Sequence, residues 1–102
     1  MSVMKINPSN FETVKTTDKT VLLDFYADWC GPCRMVAPIV DAIAGDRDDV
    51  LVGKINVDDE QALAAAFGVV SIPTLVVMKN GRIVRQATGA RPKNQILAML
   101  NG

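Results

Sequence analysis

The sequence contains no histidine, only two cysteines and no long apolar run. The absence of imidazole excludes histidine-dependent catalytic triads, histidine metal ligands and imidazole proton shuttles. Two cysteines are too few for a disulfide scaffold, and no apolar stretch approaches the roughly 20 residues that a membrane-spanning helix needs. Because 11 basic residues balance 11 acidic ones, no broad field attracts nucleic acid or an anionic membrane.

The first eight residues, MSVMKINP, lack the charged leader, apolar block and cleavage site of a secretory signal. This favours the cytoplasm, although a mature secreted protein would look the same. With 102 residues, the chain is long enough to bury a core without staples. We therefore predict a single domain spanning residues 1–102.

The alternation of apolar runs, helical spacing and turn signals predicts the element order βαβαβαββα. This order indicates an α/β fold with a mixed sheet and helices on both faces. Pro38 lies inside the second predicted helix and is expected to kink it. The predicted strands cover about residues 3–6, 21–27, 50–57, 74–78 and 83–88.

Several short signals predict where the elements begin and end. Ser9 and Asp58 each precede a Glu or Gln by three positions, which predicts capping boxes. Gly45 and Gly68 are expected to end the second and third helices. Asn80-Gly81 predicts a tight hairpin turn, whereas the last helix, opened by Pro92, lacks a capping side chain. Four methionines are also expected to fill the core, because methionine is flexible and apolar: Met4, Met35, Met78 and Met99.

Both cysteines lie in the segment Trp29–Cys33, WCGPC, between an apolar strand and a helix. Two thiols at this spacing can close a disulfide or supply half of a metal site. Closing so short a loop stabilises a fold by only about 2 kcal/mol, which favours a reversible dithiol over a structural cross-link. Cys30 just precedes the helix, where free N–H groups and the helix dipole favour a thiolate. We therefore predict that the more exposed Cys30 attacks and the more buried Cys33 resolves.

Asp24 is an acidic residue within an otherwise apolar strand that ends just before the cysteines. Burial would raise its pKa and suit it to accept the proton of Cys33. Lys54 is predicted on the same side, from a neighbouring strand, where it would partly offset that shift. The sequence equally allows Asp24 at a sheet edge and Lys54 on a solvated face.

The cysteine segment occurs together with Asp24-Phe25 upstream and Ile72-Pro73-Thr74 downstream. This combination resembles the thioredoxin family, and the similarity extends over nearly the whole chain. It includes Pro38, the segment KINVD at 54–58, Asn80-Gly81 and Gly89.

The resemblance implies a thioredoxin fold, with a five-stranded mixed sheet flanked by four helices. It also implies a general protein disulfide reductase that uses a reversible Cys30–Cys33 disulfide, without bound cofactor or metal. Such a protein would act as a cytoplasmic electron donor in cell redox homeostasis. Its partners would be thioredoxin reductase and disulfide-containing proteins, and it would work as a monomer.

The same resemblance implies the roles of residues around the cysteines. Asp24 would assist the proton transfer, and Pro73 would follow a cis peptide bond. Lys54 would join Trp29, Gly31, Pro32 and Pro73 in tuning the site. Substrate backbone would pair beside Ile72, as in strand addition. The substrate surface would comprise Trp29, Gly31, Pro32, Ile72, Pro73, Gly89 and Ala90.

Two residues depart from the family pattern near this surface. Tyr26 stands where many relatives carry a second tryptophan, and Val70 stands where a basic residue is common. Tyr26 affects packing, whereas Val70 makes the rim of the substrate surface more apolar and bears on partner preference.

Three alternatives to the reductase remain at this stage. A zinc site would need two more ligands, which only a dimer sharing four thiolates would supply. The domain could instead be a non-enzymatic binding subunit of a larger assembly. A dithiol oxidase or isomerase is the third alternative, but oxidising relatives tend to carry histidine where Gly31-Pro32 stands.

Overall fold

The computed structural model describes residues 2–101, and its elements follow the predicted order. None of the helices in this range is long and apolar enough to cross a membrane. The strands are β1 (Met4–Lys5), β2 (Thr20–Tyr26), β3 (Val50–Asn56), β4 (Thr74–Lys79) and β5 (Arg82–Thr88). The helices are α1 (Phe11–Thr16), α2 (Gly31–Asp46), α3 (Gln61–Ala66) and α4 (Lys93–Leu100).

The five strands form one mixed sheet in the order β1-β3-β2-β4-β5. Strands β1, β3 and β2 are parallel, while β4 runs antiparallel to both β2 and β5. The near-continuous apolar sequence of β2 fits its central place, with a hydrogen-bonded strand on each side and both faces covered. The α/β fold with a five-stranded mixed sheet is confirmed.

The alternation of side chains along the strands divides the core into two layers. Leu22 and Val52 pack towards α2 and α4, whereas Leu23 and Phe25 pack towards α1 and α3. Asp24 alternates with Leu23 and Phe25, so it lies on the α2 side of the sheet. Lys54 is its register partner on β3 and shares that side.

The predicted capping boxes are wrong at both helices. The residue preceding α1 is Asn10, whose side chain accepts a hydrogen bond from the Asn7 N–H and donates one to the Lys5 carbonyl. Helix α3 begins at Gln61 without a side-chain cap, because the Asp58 carboxylate instead accepts a hydrogen bond from Trp29. The predicted cap Ser9 donates its hydroxyl to the Asn7 side chain, so at both helices the predicted capping residue is engaged with another side chain.

The two glycines expected to end helices behave differently. Helix α2 continues through Gly45 to Asp46, so that prediction is wrong. A glycine in a helix costs about 1 kcal/mol relative to alanine, and burial of the preceding Ile43 and Ala44 outweighs that cost. At α3 the prediction is confirmed: Gly68 has a φ of 66°, and the N–H groups that follow the helix cap its free carbonyls.

The hairpin between β4 and β5 is confirmed, because Asn80 and Gly81 have φ values of 52° and 76°. Positive φ at both central residues suits the right-handed twist of the paired strands. Helix α4 begins without a side-chain cap, as expected.

The methionines do not all fill the core as predicted. Met78 and Met99 are buried and Met4 is half-buried, but Met35 is 70% exposed on the outer face of α2. The prediction is wrong for Met35 because its neighbour Val36 takes the inward position on the helix.

Candidate active site at the start of helix α2

Cys30 and Cys33 form a disulfide at the first turn of α2, with their Cα atoms 5.3 Å apart. Cys30 precedes the helix in an extended conformation, and its Sγ accepts the Cys33 N–H at 3.2 Å. Pro32 occupies the first turn, where its missing N–H leaves no intrahelical bond unmade. The chain therefore leaves the central strand β2 and places both sulfurs at a helix N-terminus.

The predicted difference in exposure between the two cysteines is wrong. Cys30 is 4% exposed and Cys33 is 3% exposed, because both pack around Ala27 beside Tyr26 and Ile72. The two sulfurs differ instead in their surroundings. Cys30 Sγ receives a backbone N–H and lies 3.9 Å from the Ile72 carbonyl oxygen, whereas Cys33 lines a cleft on the other side.

This cleft has a volume of about 260 Å³ and brings Cys33 together with Asp24 and Lys54. One of the two alternatives from the sequence placed Asp24 and Lys54 on the same side of the sheet, and the strand register shows why they meet. Asp24 and Lys54 are partners on adjacent parallel strands, and α2 crosses above them. The remaining lining residues are Tyr26, Ala27, Asp28, Arg34 and Ala37.

Asp24 is buried in the middle of the sheet, so the alternative that placed it at a sheet edge is wrong. Within the described residues its Oδ1 has no hydrogen-bond partner. Burial raises the pKa of Asp24 to about 7, a shift that Lys54 partly offsets and Asp41 reinforces. Lys54 is itself exposed, with its Nζ 5.9 Å from the centre of the Tyr26 ring. The carboxyl group can therefore gain or lose a proton near neutral pH.

A second, smaller groove lies on the Cys30 side of the disulfide. Its volume is about 140 Å³, and Trp29 forms part of its wall. Trp29 is 67% exposed rather than part of the core, and its indole N–H donates to Asp58 Oδ2 at 2.9 Å. The other lining residues are Val57, Val69, Val70, Ser71 and Ile72.

The surface around the disulfide combines the loop before β4 with the loop after β5. The Ile72–Pro73 peptide bond is cis, as the family resemblance implied. Gly89 has a φ of 101°, and its N–H donates to the Pro73 carbonyl at 2.8 Å, which ties the two loops together. Pro73 itself is buried, so it is not part of the exposed surface that was predicted. Gly31, Pro32 and Ala90 are exposed, and Ile72 and Gly89 are half-exposed.

Sequence reasoning missed two residues that organise this site. It assigned Asp58 to a helix cap and did not single out Arg34, whose Nη2 donates to the Asp28 carbonyl at 2.9 Å. One signal could have identified Asp58: it follows β3, and the carboxyl ends of the parallel strands β2 and β3 lie at the same edge of the sheet. No comparable pattern marks Arg34.

Residues 2–101 bring together no group of three or more Cys, Asp or Glu side chains that could hold a metal ion. A zinc site formed by one chain would therefore lack the ligands that its tetrahedral geometry requires.

A closed CxxC disulfide at a helix N-terminus, beside a buried carboxyl group, defines a thiol–disulfide oxidoreductase. The family model named Thioredoxin matches residues 2–102. The chain belongs to the thioredoxin family. This membership, together with the Cys30–Cys33 disulfide, supports the function of a protein disulfide reductase.

Relatives resemble the chain over almost its full length. It is 48% identical to the thioredoxin of Haemophilus influenzae over 101 residues, which covers 97% of this chain and 94% of that protein. It is 45% identical to the thioredoxin of Alicyclobacillus acidocaldarius, covering 97% and 95%. The structure of a mutant thioredoxin from Halobacterium salinarum has a TM-score of 0.91 at 37% identity, covering 98% of this chain and 88% of the other. Malassezia sympodialis thioredoxin has a TM-score of 0.84 at 36% identity, covering 98% and 90%.

Proposed function

We propose that the reduced protein cleaves protein disulfides with Cys30 as the attacking thiolate, Cys33 as the resolving thiol and Asp24 as the acceptor of the Cys33 proton. The single observation that carries this proposal is the different surroundings of the two sulfurs. Cys30 Sγ accepts a backbone N–H at a helix N-terminus, whereas Cys33 lines the cleft that holds the buried Asp24 carboxyl group.

Cys30 suits the attacking role because its environment stabilises a negative sulfur. The N–H of Cys33 points at Cys30 Sγ, and α2 supplies the positive end of a 16-residue helix dipole. The first turn of α2 contains no acidic side chain that would repel a thiolate there. Ile72, which lines the groove beside Trp29, has its carbonyl oxygen 3.9 Å from this sulfur, so a substrate disulfide in the groove would lie close to Cys30.

Cys33 suits the resolving role because it faces Asp24 rather than the substrate groove. A carboxyl group with a pKa of about 7 is partly ionised at neutral pH, so it can accept the thiol proton directly or through water. Lys54 and the exposed end of the cleft connect this carboxyl group to solvent.

The cycle then consists of two exchanges. The Cys30 thiolate attacks one substrate sulfur, a mixed disulfide forms, and the other substrate sulfur leaves as a thiolate and takes a proton from solvent. Cys33 loses its proton and attacks Cys30 Sγ, which closes the Cys30–Cys33 bond and releases the second substrate thiolate. Two electrons pass from the protein dithiol to the substrate disulfide.

Substrates are expected to lie across the exposed part of the surface around Cys30, with their backbone beside Ile72. This surface is formed by loops that carry few charged groups, and strand-like backbone pairing tolerates many sequences. The residues involved are Trp29, Gly31, Pro32, Ile72, Gly89 and Ala90.

We also propose that the chain works in the cytoplasm as a single monomeric domain and electron carrier, re-reduced by a thioredoxin reductase. Family membership supports this cycle, because a carrier without its own electron source needs a separate reductant. The balance of charges supports the absence of nucleic acid and membrane partners.

Trapping of the mixed disulfide tests the assignment of the two cysteines. Cys33→Ser is expected to accumulate a covalent complex with insulin, because nothing resolves it, while Cys30→Ser forms none and reduces no insulin. Iodoacetamide at pH 7 is expected to modify Cys30 of the reduced protein faster than Cys33, as read by peptide mass. Equal alkylation of both thiols, or trapping by Cys30→Ser, would contradict the assigned roles.

A further inference from the structure

We infer that Val70 is a specificity-determining residue, and that the groove it lines takes an aliphatic side chain close to the substrate cysteine that reacts with Cys30. This inference rests on the proposed function, because it requires the substrate to be joined to Cys30 rather than to Cys33.

Val70 is 97% exposed, and the local backbone explains part of this. Helix α3 ends just before Gly68, and the following Val69 turns back to pack, half-buried, against the core that contains Phe67. The next side chain must then point away. An isolated exposed valine is ordinary on protein surfaces, so the exposure alone indicates no function.

The position of Val70 distinguishes it from an isolated surface residue. It lines the same groove as Trp29, which is also mainly exposed and is held by its hydrogen bond to Asp58. Two large apolar side chains thus border one concave surface without covering it. A groove of about 140 Å³ has room for a side chain but not for a folded element.

The groove lies next to the reactive sulfur, and Ile72 connects the two. Ile72 forms part of its wall, and the Ile72 carbonyl oxygen lies 3.9 Å from Cys30 Sγ. A polypeptide joined to Cys30 therefore passes the groove, and an extended chain advances roughly 3.3 Å per residue. The side chain that enters it belongs to a residue within about three positions of the substrate cysteine.

The chemistry of the lining favours an aliphatic occupant over a charged one. The six lining side chains carry no formal charge, so an ionised group would lose water there without gaining a partner. The carboxylate of Asp58 beside Trp29 further disfavours an acidic substrate residue. Val70 is β-branched and stiff, so it loses little conformational freedom when a substrate covers it.

Competition between peptides tests the inference. The substrates are peptides joined to glutathione by a disulfide, with Leu, Gln, Lys or Glu placed in turn at each of the three positions on either side of the cysteine. The wild-type protein is expected to reduce the Leu peptide faster than the Gln peptide at one of these positions, on the order of fivefold in kcat/KM. Val70→Thr keeps the shape of the side chain but is expected to reduce that ratio to about one or two.

Two further variants test whether the effect is specific to position 70 and whether charge there changes the preferred substrate. Val84→Thr makes the same change at another exposed valine, on β5 and outside the groove, and is expected to retain the wild-type ratio. Val70→Arg is expected to shift the preference from Leu towards Glu, because it brings a cation to the rim. Equal loss of the ratio in Val70→Thr and Val84→Thr contradicts the inference, as does an unchanged ratio in Val70→Thr.

Two controls separate the remaining explanations. If the wild-type protein fails to reduce even 2-hydroxyethyl disulfide, the proposed function is wrong. If it reduces that compound but shows no preference for the Leu peptide, only the inference about Val70 is wrong. Light scattering at the assay concentration identifies the other occupant, a second copy of the chain. A wild-type dimer that Val70→Thr dissociates would assign the groove to self-association and overturn the inference.

Discussion

The buried carboxyl group of Asp24 couples the stability of the fold to pH. Its pKa is about 7 in the folded protein against an ordinary value of 3.8, so between these pH values the folded state binds a proton that the unfolded chain releases. Stability therefore falls as the pH rises from about 4 to about 7, by at most about 4 kcal/mol. Below about pH 4 the Asp24 carboxyl group is protonated in both the folded and the unfolded state, so burying it no longer costs the energy of burying a charge.

Asp24→Asn is therefore expected to raise the free energy of unfolding at pH 8 by a few kcal/mol and to change it little at pH 3.5. Urea denaturation at the two pH values measures this. Asp18→Asn, at an exposed position, serves as the control and is expected to alter stability by less than about 0.5 kcal/mol at either pH. A gain from Asp24→Asn that is equal at both pH values would exclude titration of the carboxyl group as its cause.

The same substitution has a kinetic consequence. If Asp24 accepts the proton of Cys33, Asp24→Asn slows release of the mixed disulfide at pH 7 by about 100-fold and leaves its formation nearly unchanged. Rapid quenching with acid, followed by mass analysis of the trapped species, resolves the two steps. Asp28→Asn is the control, because Asp28 lines the same cleft but is exposed. Equal slowing of both steps would exclude Asp24 as the base for Cys33.

Single residues show how far sequence reasoning reaches at this scale. The roles predicted for Cys30, Cys33 and Asp24 rest on their types and their place between a strand and a helix, and of the two placements that the sequence allowed for Asp24 the structure shows the buried one. The exposure of individual side chains could not be predicted. Cys30 is covered by Ile72, a residue 42 positions away in sequence, and periodicity within a helix contains no information about such a contact.

At the scale of elements, glycine to alanine substitutions at two sites are expected to have opposite effects. Gly81→Ala should destabilise the protein by about 1–2 kcal/mol, because Gly81 has a φ of 76° and a Cβ would lie 3.0 Å from the Lys15 carbonyl oxygen. Gly45→Ala should stabilise it by about 0.5 kcal/mol, because Gly45 lies within α2 and a Cβ there meets nothing within 4 Å. Thermal unfolding of both variants provides the comparison. Destabilisation by Gly45→Ala would show that its position is not fully helical in solution.

Element types were predictable, whereas their boundaries were only partly so. Apolar alternation and the Asn80-Gly81 turn identify the strands because these signals are local. The predicted caps failed because the Ser9 and Asp58 side chains form hydrogen bonds with Asn7 and Trp29 instead of with the first turns of the helices. A motif of four residues cannot reveal that its polar side chain is already engaged elsewhere.

At the scale of the whole molecule, the oxidised protein is expected to be more stable than the dithiol form. The disulfide joins residues only three positions apart, so the chain-entropy model predicts a gain of about 2 kcal/mol from restricting the unfolded state. Guanidinium unfolding of both forms should show a shifted midpoint with little change in slope. If the dithiol form is more stable, interactions in the folded protein must favour the reduced cysteines by more than the free energy gained from restricting the unfolded chain.

The arrangement of the sheet could not be obtained from local patterns. Element order alone leaves open which strands are neighbours, and the order β1-β3-β2-β4-β5 depends on contacts between distant parts of the chain. The family resemblance implied a mixed sheet of five strands, and that expectation is confirmed. The grooves on either side of the disulfide depend on this order, because their walls come from segments far apart in sequence.

The central position of β2 has a consequence for how the molecule accommodates a change of charge. Asp24 sits in the strand that is anchored on both edges and both faces, so its backbone has little freedom to move when the carboxyl group ionises. Relaxation must then come from the exposed Lys54 ammonium group on the neighbouring strand, by its reorientation, or from water that enters the cleft. The central sheet thus fixes the position of the proton acceptor, and an exposed ammonium group and solvent respond to its charge.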